Sequence, residues 1–281
     1  MFDGDEKTLA DVPLVVLDTE TTGLYPGLGH RVVEVAAVRL ENWRVVDQVN
    51  ELVQPGRPLD PQAAAVNGLS DEQLRDAPPF GEVAGRLSAL MDGALLVAHN
   101  AAFDAGFLGM EYFIMNLPTL LGSRQPVLPN PWLCTLQLAR RQFYFGRNNL
   151  GDLAHRLGVR YGRAHRALND VFMVVEVLKR MNRELANQRV MRVGDLLHAQ
   201  GGAIYTPPPP AVLLRPPLAE AVRDGRRLKI LYMGEGGPTE RVIDPRYPAE
   251  HQGVAYLIAY CHLRQGQRTF RLDRLLNAEF I

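Results

Sequence analysis

The stretch Val15–Leu24, VVLDTETTGL, decides how the chain is read. Its apolar, β-branched start reads as a buried strand. The run then ends on two acids, Asp18 and Glu20. Residues two apart in a strand share a face, so these carboxylates are neighbours while Leu17 and Thr19 point the other way. The position is the C-terminal end of a sheet strand, where open α/β sheets place their ligands. Two close carboxylates do not both stay ionised in a dry site without a compensating cation. A shared proton answers that problem, as does Arg31 or Arg39 as counter-ion. A divalent metal answers it better, since Mg2+ prefers carboxylate oxygens and water. On the pair alone, the metal and structural readings stand level.

Two further acids sit in informative surroundings. VAHNAAFDAGFL places Asp104 just after a strand, at the start of a helix, where the macrodipole alone would favour an acid. HRALNDV carries His165 and Asp170. Five residues of helix turn through about 500°, so both would not share one face. His165 is therefore expected in the loop entered by YGRA, with Asp170 inside the helix. A lone His in a loop is more often a surface or capping residue, and without the other motifs that reading would stand.

The rest of the chain supplies the frame. RVVEVAAVRL and WRVVDQVNELVQP, separated by EN, read as a hairpin. GEVAGRLSALMDG has a helical pattern and ALLVAHN reads as a short buried strand. Four helices are expected near 104–116, 133–144, 149–157 and 167–188. Three strands followed by alternating strands and helices predict an α/β fold with a mixed sheet. The clearest boundary is GGAIYTPPPPAVLLRPP, Gly201–Pro217, whose six prolines forbid a helix or central strand. The expected division is a first domain over 10–190, a Pro-rich linker over 191–217 and a small, mostly β module over 218–281. That module opens with one helix, LAEAVRDG, followed by short strands.

The 281 residues are 47% hydrophobic and carry 31 Lys+Arg against 31 Asp+Glu, so a sizeable core is available and no whole-surface field draws nucleic acid. Nearly all positive charge is Arg, a composition that suits bidentate phosphate contacts but also follows from genome composition. The two cysteines, Cys134 and Cys261, fit no ligand spacing and read as reduced thiols. The acidic N-terminus is wrong for a secretory signal, and no apolar run suits a membrane span, so a cytoplasmic chain without membrane attachment is expected.

Together, LDTETTGL, HNAAFDAGFL and HRALND resemble the three motifs of the DEDDh, or DnaQ-like, 3′→5′ exonucleases, closest to the bacterial DNA polymerase III epsilon-like branch. The likeness covers about residues 12–185, and NGLSDEQLRDAPPF resembles the family's connecting segment. It implies an RNase H-like mixed sheet flanked by helices. It also implies that Asp18, Glu20, Asp104 and Asp170 hold two divalent ions, Mg2+ or Mn2+, with His165 as general base. Thr21, Gly23 and Leu24 fall where the family's chain meets the terminal nucleotide. Asn100 and Phe103 match residues lining the substrate cleft, Phe103 being equally well placed for core packing. The implied reaction is hydrolysis of the terminal phosphodiester at a 3′ end, releasing a nucleoside 5′-monophosphate.

In the last module, ILYMG, RVIDPRYP, VAYLIAYCHLR and RTFRLDRL resemble the WYL domain, a small β module with an Sm-like barrel. The namesake triplet reads Ala255-Tyr256-Leu257, without its Trp. The resemblance implies ligand or nucleic-acid binding, or regulation. From Leu218 onward there are ten Lys/Arg and eight Asp/Glu, a balance of only +2. Arg264, Arg268, Arg271 and Arg274 nevertheless cluster near Tyr256, Tyr260 and Phe270, a mixture that suits phosphate contact and base stacking. The aromatics read better as core, and Arg271 and Arg274 as substrate contacts. The expected partner is DNA, as single strands or 3′ ends, in replication or repair. A proofreading subunit and a 3′→5′ exoribonuclease are the enzymatic alternatives, and a regulator with an inactive nuclease fold the non-enzymatic one.

Overall fold

The computed structural model describes residues 3–117, 119–121, 127–159 and 167–281. The opening run forms β1, Leu14–Thr21, in which Leu14 to Leu17 are fully or almost fully buried. Such a run marks a central strand. β1 pairs antiparallel with β2, Val32–Glu41, which pairs in turn with β3, Arg44–Leu52. The hairpin turn is Asn42–Trp43, both at positive φ (49° and 61°), one residue later than the EN reading. Glu41 pairs with Arg44 as the last rung of the ladder.

The segment after β3 carries α1, Pro61–Asn67, and α2, Asp71–Leu74, the latter started by a reciprocal Ser70–Gln73 capping box. α3, Phe80–Met91, leads into β4, Leu95–Ala98, which pairs parallel with β1. α4, Ala101–Met115, follows at once. β5, Pro131–Cys134, pairs parallel with β4 and runs into α5, Thr135–Gln142. The helix expected near 133–144 thus takes its first residues from a strand, and all four residues of PWLC are buried. α6, Leu150–Arg156, is capped by Asn149, and α7, Ala167–Asn187, packs its apolar face on β1 and β2.

α8, Val193–Ala199, and β6, Ile204–Tyr205, lie within the stretch read as linker. β6 is two residues long and occupies the sheet edge beside β5, the place where a Pro-rich stretch can still pair. The six strands run β3-β2-β1-β4-β5-β6, a mixed sheet with helices packed on it.

The C-terminal module opens with α9, Leu218–Asp224, ended by left-handed Gly225. Five strands follow: β7 (Leu228–Gly234), β8 (Gly237–His251), β9 (Val254–Cys261), β10 (Gly266–Arg271) and β11 (Leu275–Phe280). They form an antiparallel sheet in the order β10-β9-β8-β7-β11 over a core that includes Leu228, Ile230, Leu257 and Phe270. The aromatics divide: Phe270 is core, while Tyr256 and Tyr260 are half-buried.

Two compact units emerge from the contacts. The first comprises Met1–Thr22, Val32–Leu108 and Leu128–Pro207; the second comprises Gly23–Arg31, Gly109–Val127 and Pro208–Ile281. Two short segments from the first half of the chain therefore belong with the C-terminal module. Inside that second unit Met110 and Phe113 share a buried cluster with Tyr247, Ala249 and Ile258. Beside it Arg31 donates from Nε and Nη2 to both oxygens of Glu111, at 2.7 and 2.6 Å, and both side chains are largely buried.

Removing one partner of a buried ion pair strands the other charge. Glu111→Ala is therefore expected to cost about 3–5 kcal/mol, whereas a double Arg31→Met, Glu111→Leu variant recovers most of that loss. Urea unfolding midpoints of the two variants test this.

Candidate metal centre

The alternation expected at the end of β1 is present: Leu17, Thr19 and Thr21 are buried, and Asp18 and Glu20 are partly exposed. Asp170, in the first turn of α7, comes to the same place. One carboxylate oxygen from each of Asp18, Glu20 and Asp170 lies within 4.8 Å of the other two. This is a set of hard oxygen donors, the type that Mg2+ or Mn2+ takes.

Asp104 completes the acidic group from α4. It is 3% exposed, and its Oδ1 accepts two bonds from Thr19, from the backbone N–H at 3.1 Å and from Oγ1 at 2.8 Å. Thr19, on the other face of β1, thus ties the fourth acid to the strand that carries the first two. Burial pushes the Asp104 carboxyl up to about 7, against the pull of the Thr19 bonds. Asp18 is raised well above the usual carboxylate range, first by burial and then by the charges of Asp104, Glu20, Asp170 and Glu34. A compensating positive charge would relieve that repulsion.

Glu34 was not singled out in the sequence. It lies on β2 directly opposite Glu20 and is 1% exposed. Directly opposed residues of antiparallel strands project to the same face, so Glu34 adds a fifth carboxylate beside the four. The signal was there: an acid inside VVEVAAV is as anomalous in a buried strand as Asp18 is in VVLDTE.

The counter-ion alternatives find other partners. Arg31 grips Glu111, and Arg39 bonds to Glu41 and to the carbonyls of Leu90 and Asp92. His165 lies outside the described residues. Asn100 is exposed, and Phe103 is half-buried with its ring 4.8 Å from that of buried Phe107, so its packing role is real. Thr21 is buried, and its carbonyl accepts a bond from buried Asn67 at 3.3 Å. Gly23 leaves no room for a Cβ, which would overlap the His30 ring, while Leu24 is 64% exposed. In the module, Arg271 donates twice to Asp273, at 3.0 and 2.7 Å, so a phosphate there would have to compete with that carboxylate. Arg274 is exposed.

His99 stands one residue before Asn100 and joins three elements. Its Nε2 is 3.0 Å from the Asn148 carbonyl, which can only accept, so Nε2 donates and Nδ1 of the neutral ring accepts from Thr135 Oγ1 at 3.0 Å. Burial holds this imidazole down at about 4.

Comparison with known proteins follows the same lines. The family described as Exonuclease matches residues 15–178, and the WYL domain matches residues 215–280. A DNA polymerase III subunit epsilon of Pasteurella multocida is 37% identical over 171 residues, 58% of this chain and 64% of that protein. A DNA polymerase III subunit epsilon-like protein of Rhodobacter capsulatus is 36% identical over 204 residues, 69% of this chain and 28% of that protein. The chain thus spans less than two thirds of these relatives' length. Among solved structures, Exonuclease X in complex with 5′ overhanging duplex DNA is 27% identical with a TM-score of 0.51, over 67% of this chain and 99% of that one. A DEDDh-family nuclease domain bound to rAMP, 20% identical with a TM-score of 0.50 over 63% of this chain and 94% of that one, shares the fold. Among the described residues, no helix is long and apolar enough to cross a membrane.

The state of His99 sets a pH dependence. With its folded pKa near 4 and an ordinary value of 6.5, the unfolded chain binds the extra proton across that window, so the neutral ring's contribution is lost as pH falls from about 6.5 to 4. The stability gap between the natural protein and His99→Gln is expected to narrow by up to about 3 kcal/mol between pH 7 and 4. Urea midpoints measured at several pH values check this, and a pH-independent gap would contradict it.

Proposed function

The chain belongs to the exonuclease family, matched over residues 15–178, and on that premise we propose that it is a metal-dependent 3′→5′ exonuclease acting on DNA, as single strands or at 3′ ends. The observation that carries the reading is the convergence of Asp18, Glu20 and Asp170 within 4.8 Å, with Asp104 as the strongest charge acting on Asp18.

The donor set fits Mg2+ or Mn2+. Five carboxylates in and beside a partly buried site are too many to stay ionised without cations, and all are hard oxygen donors. Asp18, Glu20 and Asp170 would hold one ion directly. Asp104, fixed through Thr19, would serve the second together with Asp18. Bound there, two such ions would acidify a water and neutralise charge developing on the scissile phosphate. His165 would take the proton of that water, imidazole being the side-chain type whose unperturbed pKa, ~6.5, suits the task at neutral pH. Leu24, exposed in the segment that follows β1, would meet the terminal base, with the backbone of Thr21 and Gly23 beside it. Asn100 and Phe103, at the start of α4, would line the path of the strand. The product would be a nucleoside 5′-monophosphate.

For the module, the reading is nucleic-acid binding through exposed cations such as Arg274, with Arg271 exchanging Asp273 for phosphate. The Arg226 guanidinium already stacks 3.6 Å above the Phe280 ring, a geometry that a base can imitate. The paired acids favour an active enzyme over an inactive nuclease fold used for regulation.

End-labelled single-stranded DNA, duplex DNA and RNA, incubated with Mg2+, Mn2+ or EDTA, test the assignment. Mononucleotide release from the 3′ end with metal, and none with EDTA, is expected; a resistant 3′ end overturns it. Asp18→Asn is expected to abolish turnover in a folded protein. His165→Ala is expected to lower kcat by about 10²–10⁴ while leaving Mn2+ affinity near that of the natural protein. Collapse of Mn2+ binding in that variant would make His165 a ligand instead.

A further inference from the structure

Gly23–Arg31 follows the acid-bearing strand and carries exposed Leu24. Its regular structure is a single 3-10 turn, Pro26–Leu28, closed by bonds from the Leu28 and Gly29 amides to the Tyr25 and Pro26 carbonyls. One turn of helix is not stable by itself in water.

Inside the second compact unit the segment is held by the C-terminal strands. Thr269 Oγ1, on β10, donates to the Leu28 carbonyl at 2.9 Å. Gln267 Nε2, two residues earlier on the same strand, donates to the Gly29 carbonyl at 3.0 Å. Gly29 sits at φ +86°, and a Cβ there would press on Gln267 and Ile258. Gly27 lies so close to β8 that a Cβ would overlap the Glu250 carbonyl oxygen. Tyr25 packs its ring 4.7 Å from that of His251, centre to centre. At the far end, Arg31 is locked to Glu111 beside Tyr247. Thr269 Oγ1 and Gln267 Nε2 donate to backbone carbonyls of the segment while Gln267 Oε1 accepts from Arg246 at 3.0 Å, and two glycines remove the side chains that would hold it off.

We propose that the C-terminal module is an ordering element: β8 and β10 fix the shape of Tyr25–Arg31, the segment from which Leu24 meets the terminal nucleotide. The inference rests on the exonuclease reading. It assigns the module a part in binding the reacting end that does not depend on its own surface touching nucleic acid. Thr269, Gln267 and Gly27 are positioning residues, acting through the segment they hold.

The test is steady-state release of mononucleotide from a 3′-labelled single strand with Mn2+, using Gly27→Ala and a Thr269→Val, Gln267→Ala double variant. KM is expected to rise about tenfold, the scale on which a small misplacement of a binding group acts. Because metal and base are untouched, kcat should stay within about twofold, the pattern of lost ground-state binding. Mn2+ affinity by electron paramagnetic resonance should not move, and Thr269→Ser, which keeps the hydroxyl, should restore most of the KM of the Thr269→Val change. Unchanged KM in both variants, with a natural protein active on 3′ ends, overturns this inference and leaves the exonuclease reading standing. Equal losses in kcat and Mn2+ binding also overturn it, since the module would then support the fold as a whole. A natural protein that leaves 3′ ends intact overturns both.

Discussion

The constraint on which the rest of the first unit depends is the repulsion among carboxylates at the end of β1. Asp18 is raised by burial and by four acid neighbours, Asp104, Glu20, Asp170 and Glu34. Nothing in folding favours that arrangement, because each charge costs desolvation and each neighbour adds to the cost. The sheet and helices must therefore supply more than the site takes. They do so with a run of fully buried aliphatic side chains, Val15, Val16 and Leu17 on β1 and Val174, Val177 and Leu178 on α7 among them. The acids sit where that core ends.

Each acid is also placed on a rigid element. Asp18 and Glu20 take their separation from the strand pleat, Asp104 from the first turn of α4 and Asp170 from the first turn of α7. The Thr19 bonds to Asp104 join a strand and a helix 85 residues apart in sequence. His99 extends the same tying outward, linking the end of β4 to Thr135 at the start of α5 and to Asn148 ahead of α6. These are neutral, fully directed bonds that support charged groups without adding charge of their own.

Much of this was legible in the sequence because it follows local periodicity. Alternation predicted the strand and the shared face of Asp18 and Glu20, and helical spacing put Asp170 inside α7 and Asp104 at the start of α4. What escaped depends on contacts distant in sequence. Glu34 is an acid in a strand, visible as an anomaly, but its meaning comes from a register that pairs it with Glu20. β5 is four residues long and abuts a helix, too short for alternation to separate it from α5. β6 lies in a Gly- and Pro-rich stretch whose composition argued against regular structure, yet an edge position asks little of a strand.

The larger surprise is that the units do not follow the order of the chain. Composition marks a boundary where prolines accumulate. It does not say which earlier segments the later module will claim. Gly27 and Gly29 are the trace in the sequence: each lacks a side chain because a strand of the module occupies that space. A flexible turn would leave the glycines facing solvent, where a Cβ meets nothing, as at Gly253 or Gly236. Here the absent Cβ is replaced by protein, and the segment gains order instead of freedom. Glycine at this point is therefore evidence of close packing, and the module that does the packing gives Tyr25–Arg31 its shape.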